Sequence, residues 1–153
     1  MRRDSRLSRA LHVLLHMARH DGPATSAAIG KMLNANPAVV RRTMGGLRDA
    51  GYVCSEKGHG GGWKLCCDLN AVTLHDIYVA LDEPTIFALG VAIDHPECLA
   101  EQVVNNALKD ALREAETLLI ARLADVTLAD LAGEFDQKYP RDHGDPLASF
   151  VEA

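Results

Sequence analysis

Two adjacent guanidinium groups, Arg41 and Arg42, lie about one helical turn beyond Asn36-Pro37, and a second cationic set, Lys57, His59 and Lys64, flanks the run Gly58-His-Gly-Gly-Gly62. A guanidinium fork matches the paired acceptors of a guanine edge or a phosphate, whereas a lysine ammonium acts on phosphate as a point charge. Glycine lets a backbone come close to a sugar-phosphate chain. Each feature has a plain rival, because exposed arginines on a helix ordinarily form a solvated face. Their combination and order carry the argument.

Sulfur and imidazole groups are the other reactive candidates. Cys54 and Cys66 fall on facing strand-like runs as diagonal neighbours, while Cys66 and Cys67 turn to opposite faces. Core packing is the expected role, with a soft-metal or dithiol switch as the rival. His12, His16 and His20 have the i, i+4 spacing that can chelate zinc or nickel. An exposed polar helix face or a dimer seam is expected instead, and no metal site is assigned. Four cysteines in 153 residues, without repeated knuckle spacing, are too sparse for a disulfide scaffold and point to a reducing cytoplasm. No Ser-His-Asp, Cys-His or paired-carboxylate arrangement emerges, so an enzyme is not expected.

Charge separates the chain into two poles. Residues 1 to 67 hold eleven Lys or Arg against four acids, a net +7, and residues 68 to 153 hold five against seventeen, a net −12. The front half is suited to a polyanion although the whole chain carries −5. The basic start is interrupted by His12 and His16 and lacks a small-residue cleavage site, so it is not expected to be a signal peptide. The uncharged stretch from Pro84 to Ile93 is far short of the about 20 apolar residues that span a bilayer, and no membrane segment is expected.

The elements that position these groups follow from periodicity. Leu7, Ala10, Leu11, Leu14, Leu15 and Ala18 predict a helix over 5–20 that ends at Asp21-Gly22-Pro23. Thr25 or Ser26 caps a short second helix that buries Ile29, Met32 and Leu33 and exposes Lys31. Pro37 opens a third over 37–50, with Val40, Thr43, Met44, Leu47 and Ala50 on one face and Ala38, Arg41, Gly45 and Arg48 on the other. Gly45-Gly46 in mid-helix implies a close approach by a neighbouring helix or a nucleic-acid backbone.

Tyr52 to Ser55 and Trp63 to Cys67 predict a hairpin with a glycine-rich basic tip. Thr73-Leu-His-Asp76 and Thr127-Leu-Ala-Asp130 are capping-box variants that open helices over 74–82 and 128–138. Between them, residues 99–123 carry a stripe that includes Val104, Leu108, Ala111, Leu112, Ala115 and Leu119, on a helix roughly 37 Å long. A small domain cannot cover that stripe alone, so a second copy of the chain is the expected partner.

Three helices followed by a two-stranded hairpin is the order of a winged helix-turn-helix. The expected architecture is mainly α, with a DNA-binding domain over 1–83 (wing about 52–67), a linker and dimerisation helices over 84–138, and a flexible tail over 139–153. The expected DNA contacts are Ser26, Lys31, Asn36, Pro37, Arg41 and Arg42 from the turn motif and Lys57, His59, Gly60 and Lys64 from the wing, with Arg2, Arg3 and Arg6 as further phosphate ligands. A second reading keeps the same fold as a protein-interaction module that regulates a partner enzyme.

Asn36-Pro-Ala-Val-Val-Arg-Arg42, Leu47-Arg-Asp-Ala-Gly-Tyr-Val53, Gly58-His-Gly-Gly-Gly-Trp-Lys-Leu65 and Val72-Thr-Leu-His-Asp-Ile77 resemble the signature blocks of the Rrf-two family of bacterial winged-helix transcription regulators, from about residue 5 to 132. The resemblance implies a cytoplasmic homodimer on an imperfect palindrome of double-stranded DNA, usually a repressor, released here by an oxidant or small-molecule effector. Cluster-binding members carry three cysteines between the helix after the wing and the long helix, where this chain has only Cys98. In some members an acidic residue of the first helix completes the site, and Ser8 stands at the matching position. No iron-sulfur cluster or other cofactor is therefore expected. The chain looks closer to the cluster-free members typified by YwnA, which share His95-Pro96, Cys98-Leu99 and the closing Thr127 to Leu131 pattern. Cys98, at the start of the long helix, is the sensor candidate, favoured as a thiolate by the helix terminus and opposed by Asp94, Glu97 and Glu101.

Overall fold

A computed structural model describes residues 4–140, 144–145 and 147–151; Arg2 and Arg3 lie outside the described residues. The chain folds as α1 (Arg6–Met17), α2 (Ser26–Leu33), α3 (Pro37–Asp49), β1 (Val53–Glu56), β2 (Gly62–Leu65), α4 (Leu74–Ala80), α5 (Leu99–Ala124), α6 (Leu128–Lys138) and α7 (Ala148–Val151). The architecture is mainly helical with one two-stranded antiparallel sheet.

α1 contributes Ala10, Val13, Leu14 and Met17 to a single core, where they meet Ile29 of α2 and Val40, Met44 and Leu47 of α3. Thr25, rather than Ser26, caps α2: its side chain accepts from the Ala28 amide at 3.1 Å. α2 stops at Asn34, which is left-handed at φ 50°, and the Ala35 amide bonds back to the Gly30 carbonyl. Asn36 caps α3 by accepting from the Ala38 amide at 2.8 Å, with Pro37 in the first turn, where its missing donor costs nothing. A Cβ on Gly30 would sit 2.7 Å from the Ala35 carbonyl oxygen, so the turn closes only over glycine.

The mid-helix glycines divide their roles. A Cβ on Gly46 would lie 2.9 Å from the carbonyl oxygen of Ala80, which ends α4, whereas nothing lies within 4 Å of one on Gly45. The close approach is thus to a neighbouring helix, through Gly46. Both threonine capping boxes form, and Thr73 and Thr127 face each other across an isolated antiparallel bridge that brings the starts of α4 and α6 together.

Four expectations need correction. His16 is not on an exposed face: it is buried, with its ring edge-on to Phe135 of α6 at 5.5 Å. The helical pattern counts imidazole as polar, and a helix more than a hundred residues away covers it. Second, α6 belongs with the front module, since Leu128 is 1% exposed in the same core. Third, the tail does not hang loose where it is described: Leu147 is fully buried in that core, α7 packs on α2, and Asp145 pairs with His20. Fourth, Cys54 and Cys66 do not pack in the core; both are exposed and joined by a disulfide, because strand register brings their side chains to one outer face. No helix among the described residues is long and apolar enough to cross a membrane.

Candidate nucleic-acid interface

α3 presents two faces set by its sequence. Val40, Met44 and Leu47 are buried, while Asn36, Pro37, Ala38, Val39, Arg41, Arg42 and Arg48 are exposed. Arg48 is occupied by Asp49 at 2.9 Å. Arg41 and Arg42 have no ion-pair partner among the described residues, and neither do Lys31 and Lys57, both exposed. Two unpaired guanidinium forks therefore stand near the leading end of α3, the second helix of the turn motif. Arg6 is committed within the chain, to the Asp4 carboxylate at 2.8 Å and the Leu81 carbonyl at 3.3 Å.

The wing pairs Val53 with Leu65, Cys54 with Lys64, Ser55 with Trp63 and Glu56 with Gly62. Lys57, His59, Gly60 and Lys64 are all exposed, and Lys64 lies 3.9 Å from Glu56, an exposed pair of small worth. A contact that periodicity did not predict fastens the wing to the turn motif. Ala24 and Trp63 exchange two backbone hydrogen bonds, at 2.9 and 2.8 Å, and the Trp63 indole Nε1–H donates to Ser26 Oγ at 2.9 Å. A Cβ on Gly62 would lie 2.6 Å from the Ala24 carbonyl oxygen, so this junction requires glycine. Ser26 is half-buried and its oxygen accepts from Trp63, which occupies one of its two lone pairs. The one sequence signal for the junction was the lone tryptophan, whose N–H needs a partner when buried.

The rear of the molecule is dominated by α5, 26 residues long with no buried residue. Val104 is 56% exposed, Leu108 36%, Leu119 38% and Leu118 74%; Ala111 and Ala115 are exposed and Leu112 is half-buried. The loop before α5 is tied to its first turns: the His95 amide donates to Glu101, Gln102 donates to the Pro96 carbonyl, and Asn105 donates to the Ala92 carbonyl. Cys98 stands at the N-cap, exposed, with its thiol pulled below the ordinary range by the Glu101 and Ala100 amides. Burial pushes the Cys67 thiol up.

Three helices and a hairpin in this order, with a free cationic edge on α3, define a winged helix-turn-helix regulator. The chain belongs to the Rrf-two family: residues 3–134 match the family model Rrf2, described as an iron-dependent transcriptional regulator. YwnA of Bacillus subtilis, which carries the name of an HTH-type transcriptional regulator, is 29% identical over 129 residues, covering 84% of this chain and 95% of its own. YffB of Lactococcus lactis, similarly named, is 27% identical over 143 residues, covering 91% and 92%. The solved structure of CymR, the global cysteine regulator of B. subtilis, superposes with a TM-score of 0.56 at 26% identity, covering 88% of this chain and 98% of that one. The family is one of transcription regulators and not of enzymes.

The family description names iron, which makes the fit of the donor set to a cluster a question of the residues present. The segment between α4 and α5 offers one cysteine, Cys98; Cys54 and Cys66 are bonded to each other; and no group of three or more His, Cys, Asp or Glu able to hold a metal ion occurs among the described residues. A cysteine-ligated cluster uses about four ligands, and these residues do not fit one.

Proposed function

We propose that the protein is a cytoplasmic homodimeric repressor that binds an imperfect palindrome through two copies of α3 and two wings. The observation that carries the reading is the exposed leading end of α3, where Arg41 and Arg42 have no ion-pair partner among the described residues while Val40, Met44 and Leu47 hold the helix down. Arg41 and Arg42 read base edges; Lys31, Lys57, His59, Gly60 and Lys64 position the duplex through phosphates; Ser26 contributes by holding the wing. The uncovered apolar stripe from Val104 to Leu119 supports pairing with a second copy, because a stripe this long and exposed is stable only when covered. Residues 1–83, with α6 packed into their core, thus form the binding module and α5 the dimerisation arm, with no cofactor. Release occurs when an oxidant or small molecule acts at the junction before α5, with Cys98 as the sensor.

The test is a binding titration across salt on duplexes selected from a random library. Arg41→Ala relaxes preference at one base position at a cost of about 1–3 kcal/mol, and Lys57→Ala weakens all sequences alike and lowers the salt slope by about one. Retained sequence preference in Arg41→Ala and Arg42→Ala would contradict the assignment. For the sensor, oxidant weakens binding by wild type and not by Cys98→Ser, and an equal response of the two proteins removes Cys98 from that role.

A further inference from the structure

We propose that Cys54 and Cys66 form a thiol–disulfide exchange site through which low-molecular-weight thiols and disulfides set how firmly the wing holds DNA. The inference rests on the reading that the wing touches phosphate.

Geometry places the bond where it governs the whole wing. The ladder runs from Val53–Leu65 to Glu56–Gly62, and the Cys66 amide extends it by donating to the Tyr52 carbonyl at 3.2 Å. Cys54 and Cys66 are bonded across the open end of this hairpin, 12 residues apart, so the cross-link encloses Lys57, His59 and Lys64. Both cysteines are exposed on the side away from Trp63, open to attack by a dissolved thiolate. Lys64 sits opposite Cys54 in register, so the bond lies beside a residue proposed to touch phosphate.

The wing needs such a staple. Each strand has four residues, only Val53 and Trp63 are buried, and the tip carries Gly58, Gly60, Gly61 and Gly62. A two-stranded hairpin of this length is marginal, and a glycine-rich tip loses more freedom on ordering than any other. Closing the loop covalently removes that freedom beforehand, so the oxidised wing meets phosphate preorganised and the reduced wing must be ordered on binding. The sense is opposite to release through Cys98, which lies in the acidic half of the chain.

The chemistry is closed. A glutathione thiolate attacks one sulfur, forms a mixed disulfide and expels the other cysteine as thiolate; a second glutathione thiolate then attacks the sulfur of the bound glutathione, expels the remaining cysteine as thiolate and leaves with the first as glutathione disulfide. The wing disulfide is reduced by two electrons and takes up two protons, two glutathiones become one glutathione disulfide, and excess glutathione disulfide runs the steps in reverse.

The experiment equilibrates the full chain, without oxygen, in buffers of reduced and oxidised glutathione. Thiol alkylation with mass spectrometry then counts free Cys54 and Cys66, and fluorescence anisotropy measures affinity for a duplex selected by the oxidised protein. In the Cys98→Ser background, where the opposite response assigned to Cys98 is absent, reduction raises Kd by about fivefold or more. Adding Cys54→Ser/Cys66→Ser to that background gives a protein that binds in both buffers like its reduced parent. By reciprocity, saturating duplex makes the disulfide harder to reduce by the same factor. Equal Kd in both buffers, a reduction midpoint that duplex does not move, or cysteines that stay free in oxidised glutathione each overturn the switch while leaving DNA binding intact. Failure to bind any duplex in either buffer overturns the DNA reading and the switch with it.

Discussion

The indole Nε1–H of Trp63 donates to Ser26 Oγ across 2.9 Å, joining the wing to the first turn of α2. Beside it, Ala24 and Trp63 exchange both of their backbone hydrogen bonds. The wing is therefore carried by the helix-turn-helix as a rigid attachment at its base, and a contact made by its tip bears directly on where α3 sits.

Removing that fastening separates packing from hydrogen bonding. Ser26→Ala lowers stability by about 1 kcal/mol, while Trp63→Ala, which also empties a buried site, lowers it by about 3–5 kcal/mol. Urea denaturation followed by circular dichroism measures both, and equal losses would show that the hydrogen bond, not the ring, holds the wing.

The paired glycines of α3 respond in opposite directions. Gly46→Ala drives a Cβ to 2.9 Å from the Ala80 carbonyl oxygen and costs about 1–3 kcal/mol, because backbone of a packed neighbour must move. Gly45→Ala meets open space and raises stability by about 1 kcal/mol through helix propensity. Melting curves of the two variants should move to opposite sides of wild type.

His16 makes stability depend on pH near neutrality. Burial, reinforced by repulsion from His12 at 3.1 Å between Nε2 atoms, holds its pKa below the ordinary value. The unfolded chain then takes up a proton that the folded chain refuses, so the contribution is complete above the unfolded pKa of about 6.5 and is lost as pH falls below it. Wild-type stability should decline between about pH 7 and about pH 5, and His16→Gln should flatten that decline. Denaturation midpoints across this range decide; an unchanged slope in the variant would assign the pH dependence elsewhere.

Much of this was legible in the residues. Period and caps alone place Val40, Met44 and Leu47 inside and Arg41 outside, with Arg42 at the margin, and both Thr-x-x-Asp boxes close as their spacing requires. What was hidden depends on contacts between distant segments. His16 reads as polar until Phe135 covers it, and Leu147 follows Pro140 and Gly144 with no periodicity to show that it is buried. The diagonal relation of Cys54 and Cys66 was visible, but its outcome was not. That depends on the side to which the hairpin turns them, which the Trp63–Ala24 junction fixes from outside the wing.

The central claim is that two copies, joined along α5, hold one duplex. Sedimentation equilibrium at micromolar concentration, with and without a selected duplex, tests it most directly on wild type and Leu108→Glu/Leu119→Glu. The account predicts two chains in free wild type and two per duplex, with the variant a single chain that binds far more weakly. Wild type that sediments as one chain and still binds the duplex fully would contradict it.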